Sequence, residues 1–136
     1  MSSENKKIGA RGELLAKKYL ERKGYQILET NFYCRFGEID IIAKLNDEVS
    51  FVEVKTRKQE RYGTPAESMN KYKKNHMYRS AELYTYLYRL YNFKISLDVI
   101  EVYLYEDKEE RIEYMKNAII ENPKKTFGAV NYGKRN

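Results

Sequence analysis

The chain has 136 residues, within the roughly 100 to 200 of a single domain, and Leu, Ile, Val and Phe make up about 23% of it, above the roughly 20% below which charged chains stay disordered. Mean hydropathy is −0.81 and apolar runs last only a few residues, far short of the roughly 18 that cross a bilayer, which excludes an integral membrane protein. The net charge of +6, from 26 Lys and Arg against 20 Asp and Glu, suits a polyanionic partner but says nothing of fold.

The opening MSSENKKIGARGE is polar and has no apolar stretch of the signal-peptide kind, so the cytoplasm is the expected location. Residues 7–23 set Ile8, Leu15 and Tyr19 on one helical stripe, with Gly24 as the stop. Three short β-branched and aromatic runs follow, YQILE (25–29), EIDIIAKL (38–45) and VSFVEVKT (49–56), the last two joined through Asn46-Asp47 as a hairpin. Thr64-Pro65-Ala66-Glu67 reads as a capping box with proline at the first helical position. It opens a helix that runs to about Tyr91, with a break near Asn70. ISLDVIEVYLY (95–105) and RIEYMKNAI (111–119) predict a fourth and a fifth strand. The order is α-β-β-β-α-β-β, a mixed α/β sandwich. Residues 1–120 form the expected domain, and 121–136 lack periodicity and read as a basic, flexible tail.

Charge is concentrated between residues 55 and 79. There Lys55, Arg57, Lys58, Arg61, Lys71, Lys73, Lys74 and Arg79 stand against Glu60 and Glu67 alone, an excess as large as that of the whole chain. Such a stretch is either a solvated helix face or a track for a polyanion.

With Asn46 and Asp47 at the turn, antiparallel pairing sets Ile42 opposite Phe51, Asp40 opposite Glu53 and Glu38 opposite Lys55. Ile39, Ile41, Ala43, Val52 and Val54 then share the other face as core. Two opposed carboxylates repel, so one is protonated or a cation lies between them. Lys55, on the same face, brings an ammonium to the spot. Either Glu38 neutralises Lys55 in a surface charge cluster while Asp40 points to water, or the acids border a covered cleft that takes a divalent cation. With one cysteine, Cys34, and one histidine, His76, multi-cysteine zinc sites and paired-histidine ligation are excluded. Hard, oxygen-ligated ions such as Mg²⁺ remain. Tyr84, Tyr88 and Tyr91 recur at helical spacing with Met77 and Ala81 and are read as core rather than as a base-stacking row. Cys34 is read as an inert thiol and His76 as solvated or near phosphate.

GEIDIIA (Gly37 to Ala43), FVEVKTR (Phe51 to Arg57), the earlier Gly9, Gly12-Glu13 and Asn31, and the spacing from Gly63 and Pro65 through Lys73 to Ala81 resemble the bacterial YraN family over about residues 8 to 119. That family is related in sequence to archaeal Holliday-junction resolvases and the wider PD-(D/E)xK nucleases. The resemblance implies a restriction-endonuclease-like mixed sheet flanked by helices. In it Asp40, Glu53 and the Val54 carbonyl would ligate Mg²⁺ or Mn²⁺, Lys55 would orient or activate the attacking water, and Glu13 would complete the acidic set. From spacing alone, the favoured reading of Glu13 is an i,i+4 ion pair with Lys17. One departure is that the family commonly opens the late strand with an Arg-Phe-Asp-like stretch, whereas here Asp98 follows Ser96-Leu97 and a basic group is missing.

The expected activity is therefore metal-dependent DNA endonuclease, with branched DNA the analogical substrate and Arg57, Lys58, Arg61, Lys71, Lys73, Lys74 and Arg79 holding flanking phosphates. The partner is DNA recognised by structure, with no membrane contact and a homodimer left open. The rivals are a non-catalytic nucleic-acid-binding module of the same fold and a protein-interaction adaptor. A degenerate relative would have lost one of Asp40, Glu53 or Lys55, and this chain holds all three.

Overall fold

The structure, a computed structural model, describes residues 3–58 and 71–119. Along the chain run α1 (Ser3–Arg22), β1 (Gln26–Cys34), β2 (Gly37–Leu45), β3 (Glu48–Lys58), α2 (Lys71–Leu87), β4 (Lys94–Leu104) and β5 (Arg111–Met115), in the expected order. The strands form one mixed sheet, β1-β2-β3-β4-β5. All neighbours are antiparallel except β3 and β4, which run parallel because the chain crosses over through α2.

The helices cover opposite faces of the sheet. Ala16 and Leu20 of α1 pack with Ile41, Ala43, Val52, Ile100 and Val102. Met77, Ala81 and Tyr84 of α2 pack with Phe32, Ile42, Val49, Phe51, Leu97 and Val99. α1 lies close to β3 because residue 12 has no side chain: a Cβ there would fall 1.9 Å from Thr56 Oγ1. Among the described residues no helix is long and apolar enough to cross a membrane.

Both helices end in the same hydrogen-bonded turn, but only one ending is legible as glycine. At α1, Tyr25 N–H donates to Leu20 O and Gly24 N–H to Glu21 O, with Gly24 at φ 97°, the Schellman arrangement. At α2 the equivalent bonds are Leu90 N–H to Thr85 O and Arg89 N–H to Tyr86 O, with Arg89 taking the left-handed conformation at φ 55°. α2 therefore stops at Leu87 rather than near Tyr91. Tyr84 is core, but Tyr88 is 56% exposed and Tyr91 37% exposed, which corrects the reading of both as buried.

The hairpin turn falls at Asn46-Asp47 and its register is as expected from Leu45–Glu48 to Ile41–Val52. β1 is longer than YQILE and is irregular twice, with a register shift between Ile27 and Glu29 and a left-handed Asn31 (φ 52°) between the Thr30–Ile41 and Phe32–Ile39 pairs. On the facing strand β2, two residues expected on one face are separated: Ile41 packs under α1 and Ile39 under α2. β5 ends at Met115, short of residue 119, where buried Ile119 instead docks its N–H onto Leu97 O at 3.2 Å. The capping box at Thr64, the break near Asn70, Arg61, Gly63 and the tail at 121–136 lie outside the described residues.

Candidate functional site

The site gathers where β2 begins and β3 nears its end, with α1 alongside. Backbone pairing between the two strands stops at Ile41–Val52, so the expected oppositions of Asp40 with Glu53 and Glu38 with Lys55 are not ladder pairs. Instead the Asp40 side chain reaches across, and its Oδ2 accepts the Val54 N–H at 2.8 Å. Burial, then the charge of Glu53, with smaller contributions from Glu13 and Glu38, push the Asp40 carboxyl up to about 8 against the opposing pull of the Val54 N–H. Acids from α1, β2 and β3 thus act on one carboxyl.

Asn31 ties two of these acids together. Its Nδ2 donates to Glu13 Oε1 at 3.2 Å and to Glu38 Oε2 at 3.0 Å. Glu38 is therefore bound to Asn31, not set against Lys55 as a cross-strand pair, and the Asn31 amide takes the role expected of Lys17 beside Glu13. On β3, Glu53 Oε2 has two ammonium groups nearby, Lys73 Nζ at 3.5 Å and Lys55 Nζ at 4.0 Å. Glu53 and Lys55 are largely buried, with side chains 14% and 17% exposed, whereas Lys73 reaches in from the surface of α2 at 54%.

Among the described residues no three His, Cys, Asp or Glu side chains form a metal-holding group. The oxygen donors of Asp40 and Glu53 make a two-carboxylate set with surplus negative charge around it. That set suits a hard cation keeping several waters and a substrate phosphate, and does not suit a caged structural ion.

The predicted phosphate-binding residues divide into three situations. Arg57 is engaged by Glu101, Nη2 to Oε2 at 3.2 Å, and Tyr103 adds its hydroxyl to the same carboxylate at 2.6 Å. Lys58 makes an exposed pair with Glu4 at 3.8 Å. On α2, Lys71 and Lys73 face solvent, Lys74 is half-buried, and Arg79 lies over the Phe36 ring at 5.7 Å. Lys7 and Arg11, which the charge run between residues 55 and 79 does not reach, line a second cleft with Lys58 on the α1 side. Their i,i+4 spacing was the available signal.

The departure at the late strand has a local answer. Asp98 is fully buried and accepts from Ser96 Oγ at 3.1 Å, from Asn117 N–H at 2.8 Å and from the Tyr114 hydroxyl. The cation missing ahead of it in sequence arrives from Lys116, whose Nζ lies 3.8 Å from Asp98 and 3.0 Å from Glu48. Burial pulls the Lys116 ammonium down, but the Glu48 hydrogen bond and the Asp98 charge outweigh it and hold it above its ordinary value. Cys34 donates to Ser80 Oγ at 3.3 Å. His76 is not simply solvated: its Nδ1 lies 2.6 Å from the Phe36 carbonyl.

Residues 12–102 match the model of a family described as an uncharacterised protein family, UPF0102. A UPF0102 protein of Alkaliphilus oremlandii is 49% identical over 116 residues, covering 84% of this chain and 98% of its own length. One from Clostridium kluyveri is 47% identical over 102 residues (75% and 84%), and one from a Clostridium perfringens strain is 42% identical over 119 residues (87% and 98%).

Proposed function

The chain belongs to the UPF0102 family, the family its GEIDIIA and FVEVKTR segments resemble under the name YraN, and on that footing we propose that it is a metal-dependent DNA endonuclease. The observation that carries the reading is the convergence of Glu13, Glu38 and Glu53 on the half-buried Asp40, with Lys55 and Lys73 on Glu53. A surface charge cluster would leave Asp40 in water, whereas here it is half-buried with one oxygen held by the Val54 N–H.

Asp40 and Glu53, with the Val54 carbonyl, would hold Mg²⁺ or Mn²⁺. When bound, such an ion neutralises charge on the scissile phosphate and lowers the pKa of water. Lys55 donates hydrogen bonds to the attacking water or to a non-bridging phosphate oxygen. Water oxygen bonds to phosphorus as the in-line P–O bond breaks; the attacking water gives up one proton to solvent and the departing alkoxide takes one from solvent. Val54 N–H fixes one Asp40 oxygen and so fixes the direction of the other. Asn31 holds Glu13 and Glu38 at the edge, and the lysines of α2 bind flanking phosphates without reading sequence.

The test is cleavage of linear, flapped and four-way DNA in Mg²⁺ and in Mn²⁺, with Asp40→Asn as the control. Metal-dependent cleavage by the wild type alone supports the reading. Salt-sensitive DNA binding with no cleavage of any substrate overturns it in favour of a binding module.

A further inference from the structure

Beside the acids, and sharing Glu53 with them, lies a cleft of about 320 Å³ lined by the rings of Phe36, Tyr72 and His76 with Met77, and by Glu38, Glu53 and Lys73. Its volume sits at the lower end of the roughly 300–1,000 Å³ range of small-molecule pockets. Tyr72 and His76, one helical turn apart on α2, have ring centroids 4.3 Å apart, and Tyr72 is 72% exposed. The wall behind them is braced. The Phe36 carbonyl can only accept, so His76 Nδ1 donates to it at 2.6 Å, while Ser80 Oγ donates to the His76 carbonyl at 2.9 Å.

We propose that this cleft takes one unpaired nucleobase, stacked on Tyr72 and His76, so that the substrate is DNA with an unpaired nucleotide beside the scissile phosphate. The inference rests on the endonuclease reading and deepens it. A flat, largely apolar ring suits the aromatic wall, since every base has a π-face. A phosphate suits it less, because the lining sets two carboxylates, Glu38 and Glu53, against the one ammonium of Lys73, which is already paired with Glu53. Phosphates on either side of the base instead meet Arg35 and Arg79, which lie over the Phe36 ring at 4.9 and 5.7 Å outside the lining itself. A base held in a continuous duplex stack cannot enter, so the geometry selects gaps, flaps and junction arms over paired DNA.

The test uses a gapped duplex carrying 5-iododeoxyuridine at the unpaired position, and the same sequence fully paired, both irradiated with the protein in EDTA. Cross-linking from the unpaired base should map to the peptide holding Tyr72 and His76 and should be at least about tenfold weaker from the paired control. Tyr72→Ala should lower the preference for gapped over paired DNA by about tenfold, and Tyr72→Phe should keep it. Cross-links elsewhere, or an unchanged preference in Tyr72→Ala, would overturn the assignment. The readout does not depend on catalysis. Cross-linking at the cleft without cleavage in metal removes the endonuclease reading and leaves the base site, whereas cleavage without it does the reverse.

Discussion

Just beyond the last backbone pair of the β2–β3 hairpin, the Asp40 carboxylate accepts the Val54 N–H at 2.8 Å. A side chain thus takes the role of a strand's carbonyl, and the carboxyl is held at the acidic centre whether or not it is charged. Its position and its protonation can therefore be separated by substitution. Asp40→Asn keeps an acceptor for Val54, while Asp40→Ala leaves that N–H without one, at a cost of about 1–3 kcal/mol.

The pH dependence follows from the same carboxyl. Asp40 is pushed up to about 8 in the folded chain from 3.8, so between those values the folded state holds a proton that the unfolded state has released. Stability contributed by this group is present below about pH 4 and is lost as pH rises toward 8. In EDTA, urea melts at a series of pH values should show wild type losing stability relative to Asp40→Asn across that window. Parallel curves for the two proteins would mean that Asp40 is already ionised in the fold.

A divalent cation should reverse that loss. With Mn²⁺ or Mg²⁺ at millimolar levels and pH 8, the wild-type Tm should rise by linkage, since the ion binds the folded site and not the unfolded chain. Asp40→Asn and Glu53→Gln should each abolish the rise. An unmoved wild-type melting curve would remove the metal from the site.

Two glycines of α1 should respond oppositely to the same substitution. At residue 12 a Cβ would meet both Thr56 Oγ1 at 1.9 Å and Thr56 Cβ at 2.8 Å, whereas at residue 9 nothing lies within 4 Å. Gly9→Ala should stabilise by up to about 1 kcal/mol through helix propensity. Gly12→Ala should cost about 1–2 kcal/mol net, overpacking outweighing that gain. It should also weaken the metal-induced rise in Tm, because Glu13 moves with the helix. Chemical denaturation of the pair checks the ordering.

The basic face of α2 is open to a salt titration. Removing one lysine–phosphate ion pair should flatten the slope of log K against log salt by about 0.9 for duplex DNA. Lys71→Gln, Lys73→Gln and Lys74→Gln combined should therefore flatten it by about 2 to 3. An unchanged slope would remove α2 from the binding face and leave Lys7, Arg11 and Lys58 on the α1 side.

What could be read ahead of the structure was what depends on near neighbours. Asn46-Asp47 and Gly24 mark their turns through local backbone preference, and the hairpin register follows from the turn by counting. Counting fails at Asp40, because it assumes that both backbones continue to pair. The end of α2 was hidden because Arg89, with no sequence mark, adopts the conformation that glycine usually supplies. The Asp98 network was hidden for another reason: its cation, Lys116, comes from the far side of a strand and a turn. Asn31 stood out in the sequence as part of the family resemblance, but its role was hidden, since its two acidic partners lie on different elements.

Lys55 separates catalysis from binding. Its ammonium lies 4.0 Å from Glu53 Oε2, with Lys73 closer at 3.5 Å, so Glu53 keeps one cationic neighbour when Lys55 is removed. Lys55→Met retains most of the buried stem and removes only the charged end. If Lys55 serves the chemical step, DNA affinity should change little, because the other cations still hold the backbone phosphates, while single-turnover cleavage should fall by on the order of 100-fold or more. A structural ion pair alone would lower stability, by more than the roughly 1 kcal/mol of an exposed pair because both side chains are largely buried, and leave the cleavage rate alone. Thermal melts and single-turnover rates on the same preparation distinguish the two. A variant that cleaves at the wild-type rate would move that hydrogen-bonding role to Lys73, the other ammonium on Glu53.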